Sequence, residues 1–305
     1  MDTNYLSELE NNSMKNRLLV LDNISAIEDL LDKESIRLER LERLKKDNKL
    51  DLGKKLSSKE LKELFPKICT EVDEFLGIQN GEVPKYEYYD LMTPGLNTTP
   101  ILICYALTSI MVAGSVTSLF IDKNPGTHYI DAVIGTLQFT TVALLDSINR
   151  NRGSRFNQSS KKVTLEKIAR TDLIPTIGHE YAHSVQDRQG LIYKKHSIFQ
   201  EGHARGVEKH LAQMYSERED NEAFLYDTSK RTVGEFKRSY LWMCTQLGQE
   251  PNKNLLKTNN DINDLGKKIK EPSSHAIGNA LFSIYKAQKG SKIYNQMIHG
   301  NFQFI

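Results

Sequence analysis

The decapeptide GHEYAHSVQD, Gly178 to Asp187, sets two histidines four residues apart with a glutamate directly after the first. Residues i and i+4 stand one above the other on one face of an α-helix. If the two imidazoles act together, this stretch must be helical. His179 and His183 can then direct nitrogens at a single point about 2 Å away, the zinc–nitrogen distance. Glu180 is rotated off that axis but stays close to a water held there. A base is thus placed beside the water, as metal-assisted hydrolysis requires. The preceding LIPTI is apolar, so the helix is expected to be partly buried, with Tyr181 facing elsewhere. The competing reading is two hydrogen-bonded histidines and no metal.

A catalytic zinc usually takes three protein ligands and leaves a position for water. An extended metzincin pattern would need Gly at position 186 and His at position 189, where this chain has Gln186 and Gln189. Eighteen residues beyond His183 stands Glu201, in FQEGHARGVE. That interval accommodates the end of the first helix, a short loop and the first turn of an antiparallel helix. Its carboxylate would then face the histidine pair. His203 and Glu208 compete for the same role, and Glu201 has an ordinary alternative as an acidic residue favoured near a helix N-terminus.

HEYAH followed by EGHA resembles the gluzincin clan of zinc metallopeptidases, chiefly over residues 164–215. The resemblance implies that His179, His183 and Glu201 hold Zn2+ and that Glu180 is the general base. The chain departs from the clan at Arg205, where thermolysin-type members carry an acidic residue four positions after the glutamate ligand. Asp187 or Glu208 would have to take over the orientation of the first histidine. The resemblance also implies a Tyr or His that stabilises the tetrahedral intermediate. His275, in PSSHAIGNALF, fits that role in the first turn of a serine-capped helix, three residues before a Gly278 small enough to let the helix pack close. Tyr285 and Tyr240 are reserves. His128, His196, His210 and His299 are isolated in sequence and read as ordinary histidines, with His128 on a strand, THYIDAV, that could rim the cleft.

Residues 1–51 read as an amphipathic helical extension, with Leu19, Ile24, Ile27, Leu30, Leu31, Leu38, Leu41 and Leu44 on one face. From its position it could cover the cleft as a latency segment. Ser57 with Glu60 is a capping-box signature for a helix running to Gly77, and VPKYEYYDL follows as a strand with Tyr86 and Tyr88 on one face. Leu91 to Ile121 carries no charge. It reads as a buried helix and strand leading into a hairpin at SLFIDKNPGTHYIDAV, with a membrane span at 101–121 as the alternative. Residues 149–162 read as a polar, basic loop. From Leu165 onward the pattern is helical: a segment ending at Gly190 in which Pro175 opens or kinks a helix, one capped by Ser197, one over RTVGEFKRSYLWMCTQLG, and one over SSHAIGNALFSIYKAQKG.

Of 305 residues, 39% are hydrophobic and 26% charged, which fits a globular protein. A net charge of +2 makes no case for nucleic-acid binding. Cys69, Cys104 and Cys244 are odd in number and widely spaced, against a disulfide framework or a cysteine zinc site and in favour of a reducing compartment. MDTNYLSELENN has neither the basic nor the apolar region of a secretory signal. The expectation is an α+β, zincin-like domain over residues 52–305, with a small, mainly antiparallel sheet before the zinc helix and a helical C-terminal portion. Its expected activity is cytoplasmic, zinc-dependent hydrolysis of a peptide or protein substrate. The alternatives are a binding module of the same fold without catalysis and a membrane-embedded metalloprotease. Nothing in the sequence speaks to oligomeric state.

Overall fold

The computed structural model describes residues 24–79, 81–89, 153–191, 198–256 and 273–299. The chain divides into two compact units, Met1–Glu87 with Arg155–Thr164 and Ile168–Ile305, and Tyr88–Ser154 with Leu165–Lys167. In the second unit, the Tyr89 hydroxyl donates to the Gly153 carbonyl at 3.0 Å, and Lys167 N donates to Tyr89 O at 2.8 Å.

The first unit is mainly helical. Helix α1, Ile24–Lys46, buries Ile27, Leu31 and Leu41 completely. Helix α2, Ser58–Leu76, opens with the expected capping box. Glu60 N donates to Ser57 Oγ at 3.3 Å, and Ser57 N donates to the Glu60 carboxylate at 2.8 Å. It closes at Gly77, whose φ of +67° is the left-handed conformation that glycine adopts without strain.

Strand β1, Lys85–Tyr89, half-buries Tyr86 and Tyr88 as expected, with Tyr86 against the Phe65 ring at 4.4 Å. Two further strands correct the sequence reading. β2, Arg155–Asn157, lies in the stretch read as a loop, and β3, Lys162–Glu166, overlaps the proposed start of the helical region. The sheet order is β1-β3-β2, so β2 is an edge. β2 and β3 pair antiparallel, Phe156 opposite Val163, but the sheet is mixed rather than mainly antiparallel. The strands were obscured because they are short and flank a basic turn in which Lys161 has a φ of +51°. The charges of this turn are satisfied locally, Lys161 by Asp187 and Lys162 by Glu87.

Beyond the sheet the described elements are helical: α3 (Arg170–Arg188), α4 (Ile198–Glu219), α5 (Ala223–Leu247), a single 3-10 turn (Lys253–Leu255), α6 (Ser274–Lys289) and α7 (Lys292–Ile298). Pro175 lies inside α3 and does not open it. α4 packs against α3, α5 and α6, while α1 packs mainly along α5. Close approach around α4 depends on glycine. A methyl group on Gly178 of α3 would fall 2.2 Å from Leu211, and one on Gly206 would fall 1.9 Å from Tyr294. α1 is therefore part of the helical core, joined to α5 by a hydrogen bond from the Tyr240 hydroxyl to Glu28.

The uncharged segment 101–121, the hairpin with His128, and the residues His196 and Ser197 lie outside the described residues. Among the described residues no helix is long and apolar enough to cross a membrane.

Candidate metal centre

The apolar side of α3, through Leu173, Ile174, Ile177 and Val185, anchors it in the core. The helix then presents His179 and His183 on one face, with Nε2 atoms 3.2 Å apart. Tyr181 points away and donates to both Asp73 carboxylate oxygens on α2 at 2.9 Å. From the first turn of α4, Glu201 brings Oε2 to 3.6 Å from His179 Nε2 and 3.4 Å from His183 Nε2. From the first turn of α6, His275 brings Nε2 to 2.8 Å from the same oxygen. His179, Glu201 and His275 form a group that could hold a metal ion, one ligand atom from each lying within 4.8 Å of the others.

His275 reaches the cluster for the reason its neighbours suggested. Ser273 caps α6, its side chain accepting from Ala276 N at 3.4 Å. One turn into the helix, Gly278 meets Gly202 of α4 backbone to backbone. His275 is about one-third exposed, whereas His179 and Glu201 are almost fully enclosed.

Glu180 is buried beside the pair, and its Oε2 accepts the Phe156 N–H at 2.6 Å. This explains the edge strand missed in the sequence. β2 directs a main-chain donor away from β3 and onto the carboxylate that follows the first histidine, which fixes its orientation.

The two other candidate ligands stand behind the cluster. Glu208 places Oε2 3.3 Å from His179 Nδ1, on the far side of that ring from Glu201. It supplies the acidic support expected in place of Arg205, and Arg205 itself is bound to it at 2.6 Å. Arg231 binds its other oxygen at 2.6 Å, and Arg205 also reaches Glu235 at 3.1 Å. Asp187 is engaged by Lys161 instead. His203 is wholly enclosed, with Nδ1 3.1 Å from Gln186 Nε2 and Nε2 3.2 Å from the Tyr294 carbonyl. Tyr240 is committed to Glu28 and to Asn252 N, and Tyr285 is buried within α6. His210 stacks on Phe75, and His299 ends α7.

The electrostatics favour positive charge at the centre. Burial and the Arg205 charge pull the His179 pKa down, but Glu201, Glu208 and Glu180 outweigh them and hold it up at about 9. Burial would raise the Glu201 carboxyl, but the imidazoles of His179, His183 and His275 around it hold it far below the usual carboxylate range. Glu208 is likewise held low against burial by Arg205, His179 and Arg231. By contrast, burial drives His203 down to about 3, so it stays neutral.

A buried carboxylate met by three imidazoles, with one imidazole braced by a second carboxylate, can bind a divalent cation through nitrogen and oxygen. No family model, curated protein or solved structure matches this chain.

Proposed function

We propose that the chain is a zinc-dependent metallopeptidase with a zincin-like fold, with His179, His183 and Glu201 as its zinc ligands. One observation carries the reading. His179 Nε2, His183 Nε2 and Glu201 Oε2 are separated by 3.2, 3.4 and 3.6 Å. Bonds of about 2.0–2.1 Å to one tetrahedral ion place ligand atoms about 3.4 Å apart. The donor set, two imidazoles and a carboxylate, fits zinc and leaves a position for water.

When bound, zinc supplies a Lewis acid and a water acidic enough to ionise near neutral pH. Glu180 would serve as the general base, taking a proton from water that attacks the peptide carbonyl and passing it to the departing amine. The Phe156 N–H holds one oxygen of Glu180 still, which leaves the other to carry the proton. His275, on the exposed rim, turns its Nε2–H from Glu201 to the developing oxyanion of the substrate.

A second reading rests on the grouping of His179, Glu201 and His275. With His275 as an additional ligand, the same cluster holds a metal without catalysis, as a binding module. Metal analysis and a casein-type proteolysis assay on the parent, His183→Ala and Glu180→Gln separate the readings. The peptidase reading expects about one zinc per chain in the parent and loss of zinc in His183→Ala. It expects Glu180→Gln to keep zinc while its turnover falls about 10²–10⁴-fold. A zinc-loaded parent with no proteolysis, unchanged by Glu180→Gln, favours the binding module. Absence of metal from the parent overturns both.

A further inference from the structure

Behind His183 runs a chain of hydrogen bonds in which every donor and acceptor is determined. His183 Nδ1 lies 2.9 Å from Gln186 Oε1, while Gln186 Nε2 lies 2.9 Å from the Gln200 carbonyl and 3.1 Å from His203 Nδ1. His203 Nε2 lies 3.2 Å from the Tyr294 carbonyl. Gln186 and His203 are both completely enclosed, so no solvent substitutes for these partners.

The two carbonyls set the direction, because a carbonyl only accepts. The Gln200 carbonyl fixes the amino end of the Gln186 amide on its own side, toward His203. His203 Nδ1 must then accept. Independently, the Tyr294 carbonyl requires a proton on His203 Nε2, which leaves Nδ1 bare. The two anchors, one on α4 and one on α7, demand the same tautomer of His203 and the same orientation of the amide. The amide oxygen therefore faces His183 and requires a proton on its Nδ1. In a neutral imidazole that proton leaves Nε2 with its lone pair exposed, and Nε2 is the atom 3.2 Å from His179 Nε2 and 3.4 Å from Glu201 Oε2.

We infer that Gln186 and His203 are positioning residues that lock His183 in the Nδ1–H tautomer and so prepare its Nε2 to bind the metal. The inference rests on the metal-site reading above, but it concerns a property of the metal-free chain as well. It also gives the two histidines different supports, a carboxylate (Glu208) behind His179 and a neutral amide behind His183. The relay makes helix α7 part of the site through the Tyr294 carbonyl.

Two measurements test it. The first needs no variant: imidazole 15N shifts of the metal-free full-length protein, followed up to pH 10. The expected result is Nδ1–H for His183 and Nε2–H for His203; the opposite tautomer at either ring overturns the relay. The second is zinc affinity by competition with a chromogenic chelator, with circular dichroism as the control for folding. Gln186→Met keeps the volume but removes both ends of the amide, and is expected to weaken zinc about 10–100-fold. Gln186→Glu, which restores an oxygen opposite His183, should recover most of that loss. A folded Gln186→Met protein that binds zinc like the parent overturns the inference. A parent that binds no zinc but shows the expected tautomers overturns the metal-site reading and leaves the relay intact.

Discussion

Gly278 and Gly202 touch through their backbones. A methyl group on Gly202 would lie 2.4 Å from the Gly278 carbonyl oxygen, and one on Gly278 would lie 2.7 Å from Gly202 N and 2.1 Å from the Ile198 carbonyl. The obstructing atoms are main chain, so no rotamer change can relieve the overlap. This contact sets how near α6 comes to α4, and hence how near His275 comes to Glu201, one residue before Gly202.

Gly278→Ala should therefore act on the site as well as on stability. Overpacking of this kind costs about 1–3 kcal/mol, read as a lower urea midpoint. The His275–Glu201 contact should open at the same time. Under the peptidase reading, kcat should fall toward that of His275→Ala, while zinc content stays at the parent level. Equal kcat in the parent and a folded Gly278→Ala would show that His275 placement does not depend on this contact.

Glu208 supports His179 and also neutralises Arg205 and Arg231 in the core. Removing one member of a buried charge network costs about 3–5 kcal/mol, since its partners are left uncompensated. Glu208→Gln should destabilise the fold by about that amount and weaken zinc about 10–100-fold. The double variant Glu208→Gln with Arg231→Met, which removes a charge whose remaining partner Asp227 is well exposed, should regain part of the stability but not the zinc affinity. Denaturant titration and chelator competition on the same samples separate the two effects.

Much of this was legible because it is local. The capping box at Ser57 and Glu60, the left-handed Gly77, the HEYAH face of α3 and the serine-capped helix bearing His275 depend on residues within a turn of one another. The placing of Glu201 opposite the histidines needed only chain length and one reversal. What escaped was tertiary or very short. β3 buries Val163 and Leu165 in alternation, but two apolar residues behind Lys161 and Lys162 are too few to mark a strand. β2 has three residues, and its importance lies in a main-chain N–H that no side-chain pattern encodes. In sequence, His203 is a candidate ligand because it is a histidine near Glu201. Its commitment to Gln186 and Tyr294 depends on α7 packing against α4, although Gln186, one turn from His183, was visible on the same face.

The amphipathic character of α1 was equally legible, but its partner was not. As a cleft-covering latency segment, residues 1–51 would raise activity when removed. The helix instead lies mainly along α5; Leu41 packs with Leu225 and Tyr226 of α5 and Ala212 of α4, and Ile27 and Leu31 are fully enclosed. Each such side chain contributes about 1.5–3 kcal/mol by leaving water. Losing three approaches the whole stability of a typical domain, about 5–15 kcal/mol. Deletion of 1–51 should yield an aggregated or unfolded chain with no gain in activity, checked by circular dichroism and size-exclusion chromatography. A folded, more active product would restore the latency idea.

Asp172, in the first turn of α3, provides a pH test away from the candidate metal centre. Burial, reinforced by the nearby Asp227 charge, raises its pKa to about 6 against the pull of Arg231 and Lys45. An acid with a higher pKa in the folded chain holds its proton more tightly when folded. Its contribution therefore favours the native state at low pH and is lost as pH rises from its unfolded value, about 4, through about 6. Unscreened, that shift corresponds to about 3 kcal/mol. Partial solvent exposure and the favourable placement of an anion at a helix N-terminus reduce it to about 1–2 kcal/mol. Asp172→Asn should thus stabilise the protein by about that amount at pH 7 and by almost nothing at pH 4, as urea midpoints at the two pH values will show. An equal gain at both values would mean that the ionised carboxylate is not the destabilising species.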